Sequence, residues 1–210
     1  MATGLINDPQ VAKNLMMHYC GAERKPSLET DIKKTTLILG AGNIAAGDEG
    51  FGVHVARRLA KTQLPTDVRI MEGGVGGFDL LGHLEGVTRL IIVDIIALEK
   101  PPGDLFLFKP GGTSIEPGKK VVSFHQVGVL ELIQIAAIIG CEPEVFVLAT
   151  PPETMDWSFE LSPALSEAAD AAVEFLRGVI GDEFASLGKY VTSFPTIYSI
   201  GSVPQGPGSS

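Results

Sequence analysis

Three residues of this chain, Glu49, Asp94 and His125, are of types that can bind divalent cations, and each lies next to a predicted strand or helix. Glu49 comes after the first predicted strand, Asp94 closes the third, and His125 lies in the loop that enters the helix before the fifth. Ligands of open α/β sheets bind outside the carboxyl ends of the strands, so we expect the three side chains to meet at one edge. Two carboxylates and one imidazole suit a divalent metal of intermediate hardness, such as nickel or zinc, and leave positions for water or substrate.

Each of these residues also has a simpler interpretation. An acidic residue such as Glu49 is favourable at any helix N-terminus. Asp94 can cap a turn, and a single histidine such as His125 is more often a structural hydrogen-bonding residue. The prediction of a metal site therefore depends on the three residues together. His54 and His83 lie on predicted helices and are interpreted as surface or core-edge residues rather than ligands.

The elements that would position the three residues alternate between strand and helix. The third predicted strand is a continuous apolar run, typical of a strand that is buried on both faces of a sheet. Ser162 and Pro163 are the cap and first residue of a well-marked final helix. The predicted strands are 35–39, 67–71, 90–93, 103–109 and 144–149, and helices are predicted from about 53, 78, 127 and 163. This order predicts a doubly wound α/β fold, with a mostly parallel five-stranded sheet and helices on both faces.

The turn after the first strand is rich in glycine, which raises the question of phosphate binding. Residues 40–45 satisfy a permissive form of the dinucleotide fingerprint, so a Rossmann-like nucleotide-binding domain is an alternative. Asp48 and Glu49 argue against it, because two carboxylates at the mouth of the turn repel a pyrophosphate and suit a cation. Asp48 is interpreted as a turn residue. Glu72, which precedes a Gly-Gly pair after the second strand, stands somewhat late for a ribose ligand.

Composition limits the classes of partner. The formal net charge of −9 disfavours binding to nucleic acid or to anionic membranes, which reward clustered Lys and Arg. Cys20 and Cys141 lie far apart without CxxC spacing, which supports neither a disulfide framework nor a thiolate zinc site and favours a reducing cytoplasm. The most apolar segment, 127–139, is too short to span a bilayer. We therefore expect a soluble cytoplasmic protein whose partners are proteins, small molecules or cations.

The sequence predicts one folded domain with two appended segments. Residues 1–33 form an N-terminal extension with one helix, 34–181 form the α/β domain, and 182–210 drift into Pro, Gly and Ser and are predicted to be a flexible tail. No GxSxG, phosphate-loop lysine or HExxH motif occurs, so these hydrolase and NTPase mechanisms lack their residues.

Several motifs together resemble a known family. They are Gly42-Asn43-Ile44 with 47–53 (GDEGFGV), Glu72-Gly73-Gly74, Asp94 after LIIV, the His125-Gln126 pair, and Leu161-Ser162-Pro163. This chain is similar in these motifs to the nickel–iron hydrogenase maturation endopeptidases, which trim the C-terminal peptide of the hydrogenase large subunit. The family usually has Thr after the two glycines, where this chain has Val75.

The resemblance implies a function and a site. It implies a metal-dependent, aspartic-type endopeptidase that acts on the large-subunit precursor, with Glu49, Asp94 and His125 as metal ligands and Glu72 as a further candidate for the catalytic set. Nickel would be supplied by the precursor, and zinc or cadmium would substitute for it in crystals. A nickel-binding hydrogenase accessory protein without hydrolytic activity is a second alternative, since it would share all three ligands.

Overall fold

The computed structural model of this chain describes residues 35–74, 82–109, 137, 140–190 and 192–193. The predicted N-terminal helix, most of the helix predicted from 78, and almost all of the helix predicted over 127–139 lie outside these ranges. His125 also lies outside them.

The described residues build a six-stranded sheet. Its strands are β1 (Thr35–Ala41), β2 (Val68–Gly74), β3 (Val87–Ile95), β4 (Phe106–Lys109), β5 (Glu144–Thr150) and β6 (Thr192–Ser193), in the spatial order β2-β1-β3-β5-β4-β6. All pairs are parallel except β4 with β5, which is antiparallel. The predicted α/β fold with a mostly parallel sheet is thereby confirmed. The two-residue strand β6 was not predicted.

The connections place a crevice at the carboxyl ends of β1 and β3. The chain adds β2 on one side of β1 and then crosses to the other side to add β3. Where the strand order reverses in this way, the connections leave the two strands in opposite directions and a ligand crevice opens between them. Gly40 of β1 is paired with Val93 of β3, so the end of β1 and Asp94 lie side by side at this edge. We call it the carboxyl edge.

Two helices of nine and nineteen residues pack against the sheet. A 3-10 turn (Gly47–Gly50) leads directly into α1 (Phe51–Leu59), and α2 (Pro163–Gly181) follows β5. The predicted start of α2 is confirmed, because the Ser162 side-chain oxygen accepts a hydrogen bond from the backbone N–H of Leu165 at 3.3 Å and Pro163 occupies the first position. A short helix, α3 (Leu187–Tyr190), comes last.

The sheet separates two apolar clusters because side chains alternate between its faces. Ile38 joins the cluster with α1 and α2, while Leu37 and Leu39 of the same strand join the cluster on the opposite face. Burial on both faces explains why β3 is apolar without alternation.

The packed part of the chain continues beyond the predicted boundary at Gly181. Phe184 and Leu187 are buried in the cluster with α1 and α2. The guanidinium carbon of Arg89 lies 4.7 Å from the centre of the Phe184 ring, a cation–π contact. These contacts fix residues 182–187 on the domain, so a tail can only begin later; the other predicted boundaries stay predictions.

Cys141, in the segment before β5, is disulfide-bonded. A disulfide was not predicted from the sequence, so this bond is a correction to that expectation.

No helix in the described ranges combines the length and the apolar content that crossing a membrane requires.

Candidate functional site

The glycines of the turn after β1 let backbone segments touch, and one of these contacts positions Glu49. Gly42 has a φ of +122°, which side chains other than glycine rarely adopt. A Cβ atom at Gly42 would also collide with the backbone carbonyl oxygen of Glu49. The 3-10 turn that carries Glu49 therefore folds back against the end of β1, and only glycine permits it.

A second close approach fixes the start of α1 on the sheet. A Cβ atom at Gly52 would collide with the backbone oxygens of Val93 and Ala41, and one at Gly40 would collide with the oxygen of Gly52. The glycine pattern is thus explained by close packing of helix on strand. At Gly42 the space next to the turn is filled by the Glu49 backbone, so these contacts give no support to the dinucleotide alternative.

Glu49 and Asp94 lie at the carboxyl edge, Glu49 in the 3-10 turn that follows β1 and Asp94 on the neighbouring strand β3. Glu49 is partly buried in the 3-10 turn, and that turn packs beside β3. Asp94 is 1% exposed, and its Oδ1 accepts a hydrogen bond from the backbone N–H of Ile95 at 2.8 Å. The turn that carries Glu49 and the end of β3 that carries Asp94 are thus neighbours, while the joint role of the two carboxylates stays a prediction.

Glu72 lies at the same edge but not beside Asp94. It belongs to β2, which is separated from β3 by β1, so their backbones are about 10 Å apart at ordinary strand spacing. Its carboxylate oxygen Oε2 instead accepts hydrogen bonds from Arg57, at 3.0 Å from Nε and 2.9 Å from Nη2, and both side chains are about half exposed. Glu72 is a partner of Arg57 at the rim of the crevice.

The third predicted ligand, His125, lies outside the described residues. Within the ranges that are described, no three His, Cys, Asp or Glu side chains are grouped closely enough to hold a metal ion. The three-ligand site therefore stays a prediction, with two of its members placed.

Asp48 has a role that the sequence reasoning missed. It is fully buried, and its carboxylate accepts three backbone N–H groups: Oδ2 from Glu153 at 2.9 Å and Thr154 at 3.0 Å, and Oδ1 from Ser162 at 2.7 Å. These partners are 105 to 114 residues away along the chain. Asp48 is thus not simply a turn residue; it ties the 151–161 loop to the turn that carries Glu49. Only its position in the run Gly-Asp-Glu-Gly distinguished it in the sequence.

His54 lies on α1 just behind this turn and agrees with its interpretation as a core-edge residue. Burial lowers the pKa of His54, and the positive charges of Arg58 and Arg57 lower it further. A hydrogen bond to the backbone of Phe159 and the charge of Glu160 act in the opposite direction. Its Nε2 atom is buried and has no hydrogen-bond partner among the described residues.

Comparison with known proteins decides the family. The family model described as "Hydrogenase maturation protease" matches residues 53–178. This chain belongs to the hydrogenase maturation protease family. It is 36% identical to the hydrogenase expression/formation protein HupD of Rhodobacter capsulatus over 140 residues, which are 65% of this chain and 67% of HupD. A HupD of Bradyrhizobium diazoefficiens is 33% identical over 149 residues, or 70% of this chain and 78% of that protein.

A solved structure agrees with the fold. The hydrogenase maturating endopeptidase HybD of E. coli superposes with a TM-score of 0.63 at 26% identity, covering 71% of this chain and 93% of HybD. The resemblance drawn from the motifs is thereby confirmed, and with it the function of a protease that processes hydrogenase. The matched range of the family model begins four residues after Glu49 and includes Glu72, Asp94 and His125.

Proposed function

We propose that this hydrogenase maturation protease removes the C-terminal peptide of a nickel–iron hydrogenase large-subunit precursor, with Glu49, Asp94 and His125 as the residues that meet the metal. The observation that supports the proposal is that the turn carrying Glu49 packs beside β3, the strand that carries Asp94 near its carboxyl end. A cytoplasmic location is part of the proposal, as is the assignment to the aspartic-type endopeptidases.

The side chains at the crevice suit the metal that the precursor would bring. Carboxylate oxygens and an imidazole nitrogen are accepted by nickel and by zinc, and no thiolate is required from this chain. The backbone N–H of Ile95 holds one oxygen of Asp94, so the orientation of that carboxylate is set before substrate arrives. A divalent ion at this position would polarise the scissile carbonyl or activate water.

An incomplete ligand set on the enzyme also explains how a precursor would be selected. Two carboxylates and one histidine leave coordination positions that groups of the precursor can fill. A nickel-free precursor would instead bury Glu49 and Asp94 without the metal that balances their negative charge, which costs about a few kcal/mol. The enzyme would therefore bind a nickel-loaded precursor in preference to an empty one.

Glu72 is kept outside the metal-binding set because its carboxylate is paired with Arg57 two strands away from Asp94. Its contribution to catalysis can be measured separately with Glu72→Gln. We expect processing by this variant to be less impaired than processing by Glu49→Gln or Asp94→Asn.

The decisive test is the mass of the large subunit when it is co-expressed with the protease. We expect the wild type to shorten the precursor, and Glu49→Gln and Asp94→Asn to leave it at full length. Asp170→Asn, an exposed carboxylate on α2, is the control and should process normally. A precursor that keeps its full length with the wild type would favour the alternative of a nickel-binding accessory protein.

A crystal soaked with nickel, zinc or cadmium tests the site itself. We expect the ion to be bound by Glu49, Asp94 and His125, at about 2 Å from each ligand atom. An ion bound elsewhere, with the three side chains far apart, would overturn the assignment of the site.

A further inference from the structure

The 151–161 loop carries an apolar surface that the proposed chemistry does not use. Met155, Trp157 and Phe159 are 42%, 80% and 59% exposed, and they are the large apolar side chains that are exposed within the described ranges. The rings of Trp157 and Phe159 meet edge to face, with centres 6.3 Å apart. We call these three residues the apolar patch. Contiguous exposed apolar groups of this kind mark sites of interaction, because leaving them in water is unfavourable.

The backbone beneath the patch is held in place by hydrogen bonds. The N–H of Gly47 donates to the carbonyl of Ser158 at 2.8 Å, and the N–H of Ser158 donates to the carbonyl of Ala45 at 3.1 Å, which forms a short parallel bridge. The Asp48 carboxylate accepts backbone hydrogen bonds from Glu153 near the start of the loop and from Ser162 just after its end. An aromatic surface that is ordered before binding loses little conformational entropy when a partner covers it.

The same hydrogen bonds place the patch beside the candidate site. The bridge joins Ser158, which lies between Trp157 and Phe159, to the residues just before Glu49. A protein substrate that binds at Glu49 can therefore also contact the 151–161 loop. The patch is continuous with the site and faces the same partner.

Charge limits the chemistry of that partner. Glu153, Asp156 and Glu160 are exposed and alternate along the loop with the three apolar residues. Interfaces combine an apolar centre with a charged rim, and the rim selects partners of opposite charge. The complementary surface thus has apolar side chains in its centre and Lys or Arg around them.

The geometry points to the apolar patch as the docking site for a segment of the large-subunit precursor that carries apolar side chains flanked by basic residues. This inference rests on the proposed function, because the precursor is the protein that must reach Glu49. It goes further in assigning recognition of the precursor to a loop outside the metal site.

The test measures the affinity of purified nickel-loaded precursor for the full-length protease by biolayer interferometry. All proteases carry Glu49→Gln so that the precursor stays uncut, and mass spectrometry verifies this. We expect Trp157→Ala with Phe159→Ala to weaken binding at least about 30-fold, the effect of losing an aromatic residue at the centre of an interface. Lys61→Ala, an exposed residue beyond the opposite end of α1, is the control and should bind as the parent does.

A second variant tests the charged rim. Glu153→Gln with Glu160→Gln should weaken binding at low salt and reduce its dependence on salt concentration. Both side chains are exposed, so these substitutions do not disturb the core. Unchanged salt dependence would overturn the basic character assigned to the partner.

The outcomes separate the two proposals. One outcome is that the protease with its natural Glu49 cuts the precursor, while Trp157→Ala with Phe159→Ala binds the precursor as tightly as its Glu49→Gln parent. In that case the docking site is wrong and the proposed function stands. If the unaltered protease neither binds nor cuts the precursor, both are wrong. A wild-type dimer that becomes monomeric on Trp157→Ala, measured by light scattering, would show a second copy on the patch and would also overturn the docking site.

Discussion

Replacing Asp48 by asparagine tests whether a single buried carboxylate holds the 151–161 loop against the turn that carries Glu49. The asparagine side chain has nearly the same shape but one acceptor oxygen instead of two. That oxygen can serve either the N–H groups of Glu153 and Thr154 or the N–H of Ser162, but not all three. The NH2 group that replaces the other oxygen then faces a backbone N–H and cannot accept its hydrogen bond. At Ser162 this N–H is buried, so water cannot satisfy it instead.

The size of the effect follows from these contacts. A hydrogen bond to a charged acceptor contributes about 1.5–3 kcal/mol, and an unsatisfied buried N–H costs about 1–3 kcal/mol. The amides of Glu153 and Thr154 are only partly buried and can be rehydrated, and neighbouring contributions do not simply add. We expect Asp48→Asn to reduce the free energy of unfolding by about 3 kcal/mol. For a domain of this size the melting temperature would fall by about 6–12 °C.

Urea unfolding followed by circular dichroism measures this change. The matched control is Asp170→Asn, which removes an exposed ion pair with Arg58 and should change stability by less than about 1 kcal/mol. The slope of the unfolding free energy with urea should stay the same in both variants, so that the midpoint reports stability. A loss for Asp48→Asn no larger than that of the control would refute the structural role of Asp48.

Four further outcomes are expected. His125→Ala should abolish processing and change stability by only about 0.5 kcal/mol, as urea unfolding beside a cleavage assay would show. Nickel-loaded precursor should be cleaved under chelation while nickel-free precursor is not; equal rates would refute a shared metal. Because the pKa of His54 is lowered, the folded protein binds fewer protons than the unfolded chain between the folded-state pKa and pH 6.5. Stability should therefore decline as the pH falls through this interval, and His54→Gln should flatten the decline in urea titrations at several pH values. Gly52→Ala should cost at least about 3 kcal/mol because its Cβ meets the Val93 carbonyl, whereas exposed Gly178→Ala, with open space around it, should stabilise α2 by about 0.5–1 kcal/mol in the same unfolding assay.

Much of the fold could be predicted from the sequence because the deciding forces act between near neighbours. Apolar runs and glycine or proline boundaries identified the five main strands, and Ser162 with Pro163 identified the start of α2. The position of Asp94 near the carboxyl end of β3 followed in the same way, although the strand continues for one more residue to Ile95. The motifs around Glu49 and Asp94 also led to the correct family.

The remaining features depend on residues that meet only after the chain has folded. Nothing near Asp48 indicates that its partners come from residues 153, 154 and 162, since hydrogen bonds over such separations follow from the strand order. The pairing of Glu72 with Arg57 likewise requires β2 and α1 to lie side by side. Gly52 is essential for a contact with β3 that its own neighbours do not reveal.

The apolar patch shows the same division between sequence and structure. Trp157 and Phe159 are ordinary apolar residues in the sequence, where hydrophobic side chains are expected to be buried. The backbone of Ser158, which lies between them, is hydrogen-bonded to residues 45 and 47, and this fixes the loop at the surface. Both rings are left exposed to water. Sequence therefore determined which side chains are available for chemistry. Tertiary structure decided which of them share an edge, because only long-range backbone contacts set those distances.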